Sequence, residues 1–282
     1  MTRDDYRLEL LRFDAPALEQ VSQLLGLVFP RARQLTARYL AWEYAGNPDG
    51  EGVACNVYAQ DMLVGHLGTV AMTARVEGEV RRGLLLVNSA VHPSHRGRHL
   101  MSRLSEAIFP EGARRGYSFC ISTGNRYSTL PLLTRFEMLR PLEARIGLGR
   151  PRLRPDAVAP SFERLWSGEA LRWRLANPEA RYAVRGHGGT IAVTAGTGVM
   201  GVGAILYDGR GDAPLGSAAA AGPLRVWLGL DPGLDWARSA FLPIPHRLRP
   251  SPLNLLFRDM SGSARLPDPD RVVFRGLDFD AY

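Results

Sequence analysis

Residues 83–108 of this 282-residue chain predict a buried strand, a sharp turn and an amphipathic helix in direct succession. Residues 83–91 are a run of Leu, Val and small residues, and Pro93 ends it because proline has no backbone N–H to donate to a sheet. Apolar residues then recur at helical spacing, at Leu100, Leu104, Ala107 and Ile108. The fold must therefore begin a helix directly after a buried strand.

Such a junction can bind a pyrophosphate. The first N–H groups of a helix have no partner within it, and the aligned peptide dipoles place about half a positive charge at that end. Gly97 lets the backbone approach a ligand closely, and Arg96 and Arg98 can donate hydrogen bonds to phosphate oxygens. The alternative is an ordinary connection with solvated arginines.

The junction also resembles a family motif. Six positions match the acyl-CoA-binding motif of the GNAT acyltransferases, hydrophobic-x-Pro-x-x-Arg-Gly-x-Gly-hydrophobic-Gly/Ala-x-x-Leu. They are Val91, Pro93, Arg96, Gly97, Leu100 and Leu104. His99 replaces the second glycine and Met101 replaces the third small residue. The chain is similar to long bacterial GNAT proteins.

This resemblance implies acetyl-CoA, or another acyl-CoA, as cosubstrate. The loop at residues 96–101 would hold the pyrophosphate, and the backbone at a bulge in the preceding strand would pair with the pantetheine arm. The implied cofactor-binding residues are Ala90, Val91, Arg96, Gly97, Arg98, His99, Leu100, Met101, Asn125 and Ser128.

The resemblance continues after the helix. Residues 116–122 predict a strand, and Asn125 to Ser128 match the start of the family's Asn-x-x-Ala/Ser-x-x-x-Tyr helix. Leu132 stands where many members have the Tyr that protonates the thiolate leaving group.

The catalytic candidates are Tyr127, His92 and Glu43. Tyr127 could replace the Tyr missing at Leu132. His92 ends the strand and has a side-chain type suited to base catalysis, although capping is an alternative role. Glu43 lies, with Tyr44, on a helix that lines the acceptor cleft in GNAT proteins, and a solvent-facing position is the alternative for Glu43. His66 could be either a core residue or a functional one.

Hydrophobic periodicity predicts a strand, two helices, three antiparallel strands, helix, strand, helix and strand. This is an α/β (α+β) layout, and the GNAT resemblance implies the same one, with a mixed, mostly antiparallel sheet flanked by helices. The sequence of residues 40–48 is approximately repeated at residues 171–178, with Leu, Trp and Asn-Pro in similar order. We therefore predict a GNAT domain at 1–150, a proline-containing linker at 151–160 and a degenerate GNAT-like unit at 161–282, without a cofactor at residues 211–222.

Composition narrows the chemistry. All 35 residues counted as Lys plus Arg are Arg, which excludes a lysine Schiff base. The net charge of +7 is spread along the chain, which disfavours nucleic acid as a partner. The two cysteines have no metal-ligand spacing and suit a reducing cytoplasm. No signal peptide, membrane span or metal site is expected.

The leading hypothesis is an acyltransferase that moves an acetyl or other short acyl group to the amine or hydroxyl of a small molecule by direct attack. A non-catalytic module that binds CoA or another ligand is the first alternative. A tandem transferase that uses aminoacyl-tRNA is the second, and it would bind RNA with a steep salt dependence.

Overall fold

The structure is a computed structural model that describes residues 6–187, 189–210, 222–249 and 251–279. The chain begins with a strand and two capped helices. Asp14 accepts a hydrogen bond from the Ala17 N–H, and Thr36 accepts one from the Tyr39 N–H, so each helix begins directly after its cap. The helices are α1 (Ala15–Val28), α2 (Ala37–Tyr44), α3 (Leu100–Arg114), α4 (Thr129–Leu132) and α5 (Gly168–Leu175).

The strands alternate with these helices and dominate the second half of the chain. They are β1 (Tyr6–Leu10), β2 (Cys55–Ala59), β3 (Met62–Val76), β4 (Glu79–Val91), β5 (Phe119–Gly124), β6 (Glu137–Pro141), β7 (Glu143–Leu148), β8 (Arg152–Leu153), β9 (Phe162–Arg164), β10 (Tyr182–His187), β11 (Thr190–Gly196), β12 (Val202–Arg210), β13 (Leu224–Leu230), β14 (Leu234–Asp235), β15 (Phe241–Pro243), β16 (Asn254–Asp259) and β17 (Val272–Arg275). Within the described ranges, 15 of them form one mixed sheet, and β8 pairs with β14. The predicted fold class is confirmed.

Two units of this sheet repeat the same pairing. In the first unit β2, β3 and β4 are antiparallel and β4 is parallel to β5, while in the second β10, β11 and β12 are antiparallel and β12 is parallel to β13. Helices α1 and α2 cover one face of the first unit and α3 covers the other. Residues 211–221, where no cofactor is expected, lie outside the described residues.

The units exchange strands. Strand β16, from the end of the chain, lies between β5 and β6 in the first unit. Strand β7, from the first 150 residues, lies between β13 and β15 in the second. Neither half therefore supplies all the strands of its own part of the sheet. The division of the chain at residues 151–160 stays a prediction.

The repeated segments meet at two tryptophans. The rings of Trp42 and Trp173 stack 4.8 Å apart, and each indole N–H donates to the backbone carbonyl of the other Trp, at 3.2 and 3.1 Å. Asn47 and Asn177 also make the same turn, each accepting a hydrogen bond from the backbone N–H two residues later. The two copies thus contact each other in an approximately twofold arrangement.

Candidate functional site

Strands β4 and β5 separate beside α3. They pair only where residues 83–86 meet residues 119–122, although β4 continues to Val91. A register shift between β3 and β4 coincides with Asn88, whose φ of +51° places it in the left-handed region. Ala90 and Val91 pair with β3 on one side only, so the edge of β4 that faces β5 is open at these two residues in the described structure.

The loop between β4 and α3 has an open backbone. Gly97 has a φ of +73°, and a Cβ there would have no atom within 4 Å. His99, at the start of α3, has a φ of +55° and makes no capping hydrogen bond with its side chain. A glycine adopts this conformation without strain, so His99 keeps the shape of the motif at some conformational cost. The exposed His99 imidazole is not packed into the loop.

The amides at the start of α3 are available to a ligand. No hydrogen bond within the described residues uses the backbone N–H of Gly97, Arg98, His99, Leu100, Met101 or Ser102. Arg96 and Arg98 are exposed beside them, and Arg96 Nε donates to the Val91 carbonyl at 3.3 Å. The half-buried Met101 packs on the core below, as Leu100 does. The loop therefore offers converging donors and positive charge to an anion.

His92 has a structural contact in this loop. Its Nδ1 accepts a hydrogen bond from the Ser94 N–H at 3.3 Å and lies 2.7 Å from the Ser94 Oγ. It thereby caps the short 3-10 turn Pro93–His95. The neighbouring His95 is buried and lies 3.0 Å from the Tyr6 hydroxyl. Burial, followed by Arg98 and His92, lowers the pKa of His95.

Glu43 is buried at the point where β4 and β5 separate. Its carboxylate accepts hydrogen bonds from the Tyr39 hydroxyl at 3.0 Å and from Asn88 Nδ2 at 2.6 Å. Asn88 Nδ2 also donates to the Tyr44 hydroxyl at 2.8 Å. The bulge thus brings the Asn88 side chain into contact with both Glu43 and Tyr44 of α2.

A buried chain of hydrogen bonds continues from Tyr44 to His66 and Asn56. Asn56 Oδ1 is an acceptor 2.7 Å from His66 Nδ1, so that nitrogen carries the proton. Burial lowers the pKa of His66 to about 3, so the ring is neutral and Nε2 accepts from the Tyr44 hydroxyl at 2.9 Å. A Cβ at Gly68 would overlap that hydroxyl. Burial, then Glu43, raises the pKa of Tyr44. His66 is therefore a hydrogen-bonded core residue.

Tyr127 lies apart from this network, on the surface. Its side chain is 79% exposed and packs beside the Arg126 guanidinium. Asn125 Oδ1 accepts from the N–H groups of Tyr127 and Ser128 at 2.8 and 3.1 Å, and the Ser128 hydroxyl bonds back to Asn125. These polar groups hold the turn before α4, whose Leu132 is buried in the core.

Both halves of the chain line a small cavity beside Glu43. The lining includes Trp42 and Glu43 from the first half, and Trp173, Arg174, Asp278 and Phe279 from the second. Arg164 and Asp278 are buried there, and burial raises the pKa of Asp278. The cavity combines aromatic walls with buried charges of both signs.

Sequence reasoning missed Asn88 and left the role of His66 open. The signal available for Asn88 was its position in the mostly apolar run of residues 83–91. Both cysteines are buried, and burial raises the pKa of each thiol, to about 11 for Cys55, which makes them poor nucleophiles. Across the described ranges, no three His, Cys, Asp or Glu side chains are grouped to hold a metal ion. No described helix is both long and apolar enough to cross a membrane.

Comparison with known proteins places these features in context. Residues 12–136 match the sequence model of a family described as acetyltransferase (GNAT) domain. A search of curated protein sequences gave no match. Three solved structures share the fold at low sequence identity.

The first of these structures is a probable N-acyltransferase from Enterococcus faecalis, 10% identical, with a TM-score of 0.60 over 91% of this chain and 73% of that one. Eis1 from Mycobacterium abscessus is 11% identical, with a TM-score of 0.59 over 92% and 75%. A GCN5-related N-acetyltransferase from Kribbella flavida is 12% identical, with a TM-score of 0.63 over 93% and 73%.

Proposed function

Because residues 12–136 match the model of the acetyltransferase (GNAT) domain, we propose that the chain transfers an acetyl or other short acyl group from acyl-CoA to the amine or hydroxyl of a small molecule. The acceptor attacks the thioester directly. The observation that carries this proposal is the group of amides at residues 97–102, which have no hydrogen-bond partner among the described residues and lie beside the open edge of β4. A diphosphate and an extended amide chain suit these two features.

This geometry supports the proposed cofactor-binding residues. The loop amides, with Arg96 and Arg98, hold the pyrophosphate, and the backbone of Ala90 and Val91 pairs with the pantetheine amides. The Arg96 side chain leaves the Val91 carbonyl to do so. Asn125 and Ser128 act on the turn before α4 and hold it in place. Acyl-CoA supplies an activated thioester when bound.

Among the catalytic candidates, the geometry favours Glu43 as the group that accepts the proton of the acceptor. Its carboxylate lines the cavity shared by the two halves and is adjacent to the bulge. Tyr39 and Asn88 hold it in one orientation, which keeps the oxygens positioned for proton transfer. His92 caps its own turn and Tyr127 is exposed, so neither has a comparable position.

Calorimetric titration with acetyl-CoA tests the cofactor site. We expect saturable binding that Arg96→Ala weakens about tenfold, because a charge-assisted hydrogen bond is lost. Arg12→Ala, which removes an exposed arginine far from the loop in sequence, is the control and should bind as the unchanged protein does. Failure of the unchanged protein to bind acetyl-CoA contradicts the proposal.

Thiol release over a panel of amines and alcohols tests catalysis. Glu43→Gln keeps the side-chain shape and should reduce kcat by about a hundredfold or more, with acetyl-CoA affinity unchanged. If CoA binds and no acceptor gives thiol release, the non-catalytic binding module is the better description. We also propose a cytoplasmic location, where the buried free cysteines Cys55 and Cys120 would stay reduced.

A further inference from the structure

The second unit contains its own separation of parallel strands. Strands β12 and β13 pair only where residues 202–205 meet residues 224–227, although β12 continues to Arg210. In the first unit, β4 and β5 likewise pair over residues 83–86 and 119–122 and then diverge. The repeat has therefore kept the divergence of the two strands, and beyond it β17 pairs with Gly229 and Leu230 of β13.

Two adjoining cavities lie beside this divergence. Their volumes are about 210 and 380 Å³, and Arg150, Ile205 and Asp208 line both. The smaller one lies over the sheet face formed by β10, β11, β12 and β13, and the larger one reaches the Trp227 indole. Together they form one groove, which we call the second groove.

Arginines dominate one end of the second groove. Arg150, Arg185 and Arg225 line the smaller cavity, and its carboxylate is that of Asp208. Arg185 has no hydrogen-bond or ion-pair partner within the described ranges, while Arg225 donates to the Gly222 carbonyl. Arg150 lies 3.8 Å from Asp208. Burial, opposed by Arg150, raises the pKa of Asp208. Among the described residues, this end thus carries more positive charge than Asp208 balances.

The other end of the second groove is apolar. Its walls include Trp227, Leu234 and Ile205, which pack in one cluster. Arg275 and Asp231 also line it, but their ion pair at 2.9 Å neutralises both charges. A ligand that fills the whole groove therefore needs a compact anionic head and an apolar body.

We propose that the second groove is a binding site for a small organic anion, in which Arg185 and Arg225 bind a carboxylate or phosphate head and Trp227 contacts an aromatic or aliphatic body. The site is separate from the proposed acyl-CoA site and does not depend on acyl transfer. Carboxylate and phosphate share the chemistry that arginine recognises, and different probes separate them.

Calorimetric titration with phenyl phosphate, benzoate and benzyl alcohol tests this site. We expect at least one of the two anions to bind saturably, and the anion that binds more tightly identifies the preferred head group. Neutral benzyl alcohol should bind at least tenfold more weakly than that anion. Arg185→Gln and Arg225→Gln should each weaken anion binding about tenfold. Arg172→Gln, at an exposed position on α5 of the same unit, is the matched control. Circular dichroism verifies that each variant is folded.

The proposal is overturned if neither anion binds saturably, or if benzyl alcohol binds as tightly as the anions do. It is also overturned if folded Arg185→Gln and Arg225→Gln variants bind like Arg172→Gln. Loss of phenyl phosphate binding in Arg96→Ala, with retention in Arg185→Gln, would place the probe in the acyl-CoA loop instead. That result would overturn the second groove as the binding site of the probe without contradicting the proposed acyl transfer.

Discussion

Replacing His66 with Gln should make the protein less sensitive to mild acid. His66 is fully buried between Tyr44 and Asn56, and burial lowers its pKa to about 3. In the unfolded chain a histidine has a pKa of about 6.5. Between these values the unfolded state binds a proton that the folded state does not bind, so the free energy of unfolding falls as the pH falls.

The pKa difference sets the size of this effect. Lowering the pH from 7 to 5 should cost about 2 kcal/mol through His66 alone. Gln can retain hydrogen bonds to Tyr44 and Asn56 and does not titrate. Burial also lowers the pKa of His95, which acts in the same direction, but His95 is present in both proteins and cancels from the difference.

Urea unfolding followed by tryptophan fluorescence at pH 7, 6 and 5 measures this difference. The His66→Gln variant should be less stable than the unchanged protein at pH 7 and should lose about 2 kcal/mol less by pH 5. His246→Gln, at an exposed histidine, is the control and should follow the unchanged protein. Parallel loss of stability in the unchanged protein and His66→Gln would refute the assignment of His66 as a buried neutral ring.

Four further substitutions, at three residues, give additional tests. Trp173→Ala removes the ring stacked on Trp42 and should lower the free energy of unfolding by about 3 kcal/mol in the same urea assay. Trp173→Phe loses mainly the hydrogen bond of the indole N–H and should lower it by about 1 kcal/mol. Tyr44→Phe leaves His66 Nε2 without its donor and should cost about 1–3 kcal/mol, again measured in urea. His99→Gly removes a side chain from a left-handed position and should bind acetyl-CoA at least as tightly as the unchanged protein by calorimetry; a tenfold weaker affinity would indicate that the imidazole contacts the ligand.

Local patterns predicted much of the fold. The strand, proline turn and amphipathic helix at residues 83–108 form β4, the turn Pro93–His95 and α3, because each depends on residues close in sequence. The cap at Asp14 and the echo of residues 40–48 in residues 171–178 were predictable for the same reason.

Pairing between distant segments was not predictable in this way. Nothing in the alternation of side chains in residues 254–259 indicates that this strand pairs with β5 rather than with a neighbour in sequence. Asn88 was missed because a bulge depends on the register of β4 against β3. The surface position of Tyr127 likewise depends on the turn that Asn125 holds. The division into domains and the individual site residues stay predictions.

The strand exchange has a consequence for synthesis on the ribosome. Strand β5 is complete at Gly124, but its neighbour β16 ends only at Asp259. A nascent chain must therefore keep one edge of its first sheet unpaired while more than a hundred further residues are translated. Such an edge is a template for pairing with other chains, so we expect this protein to engage holding chaperones late into translation.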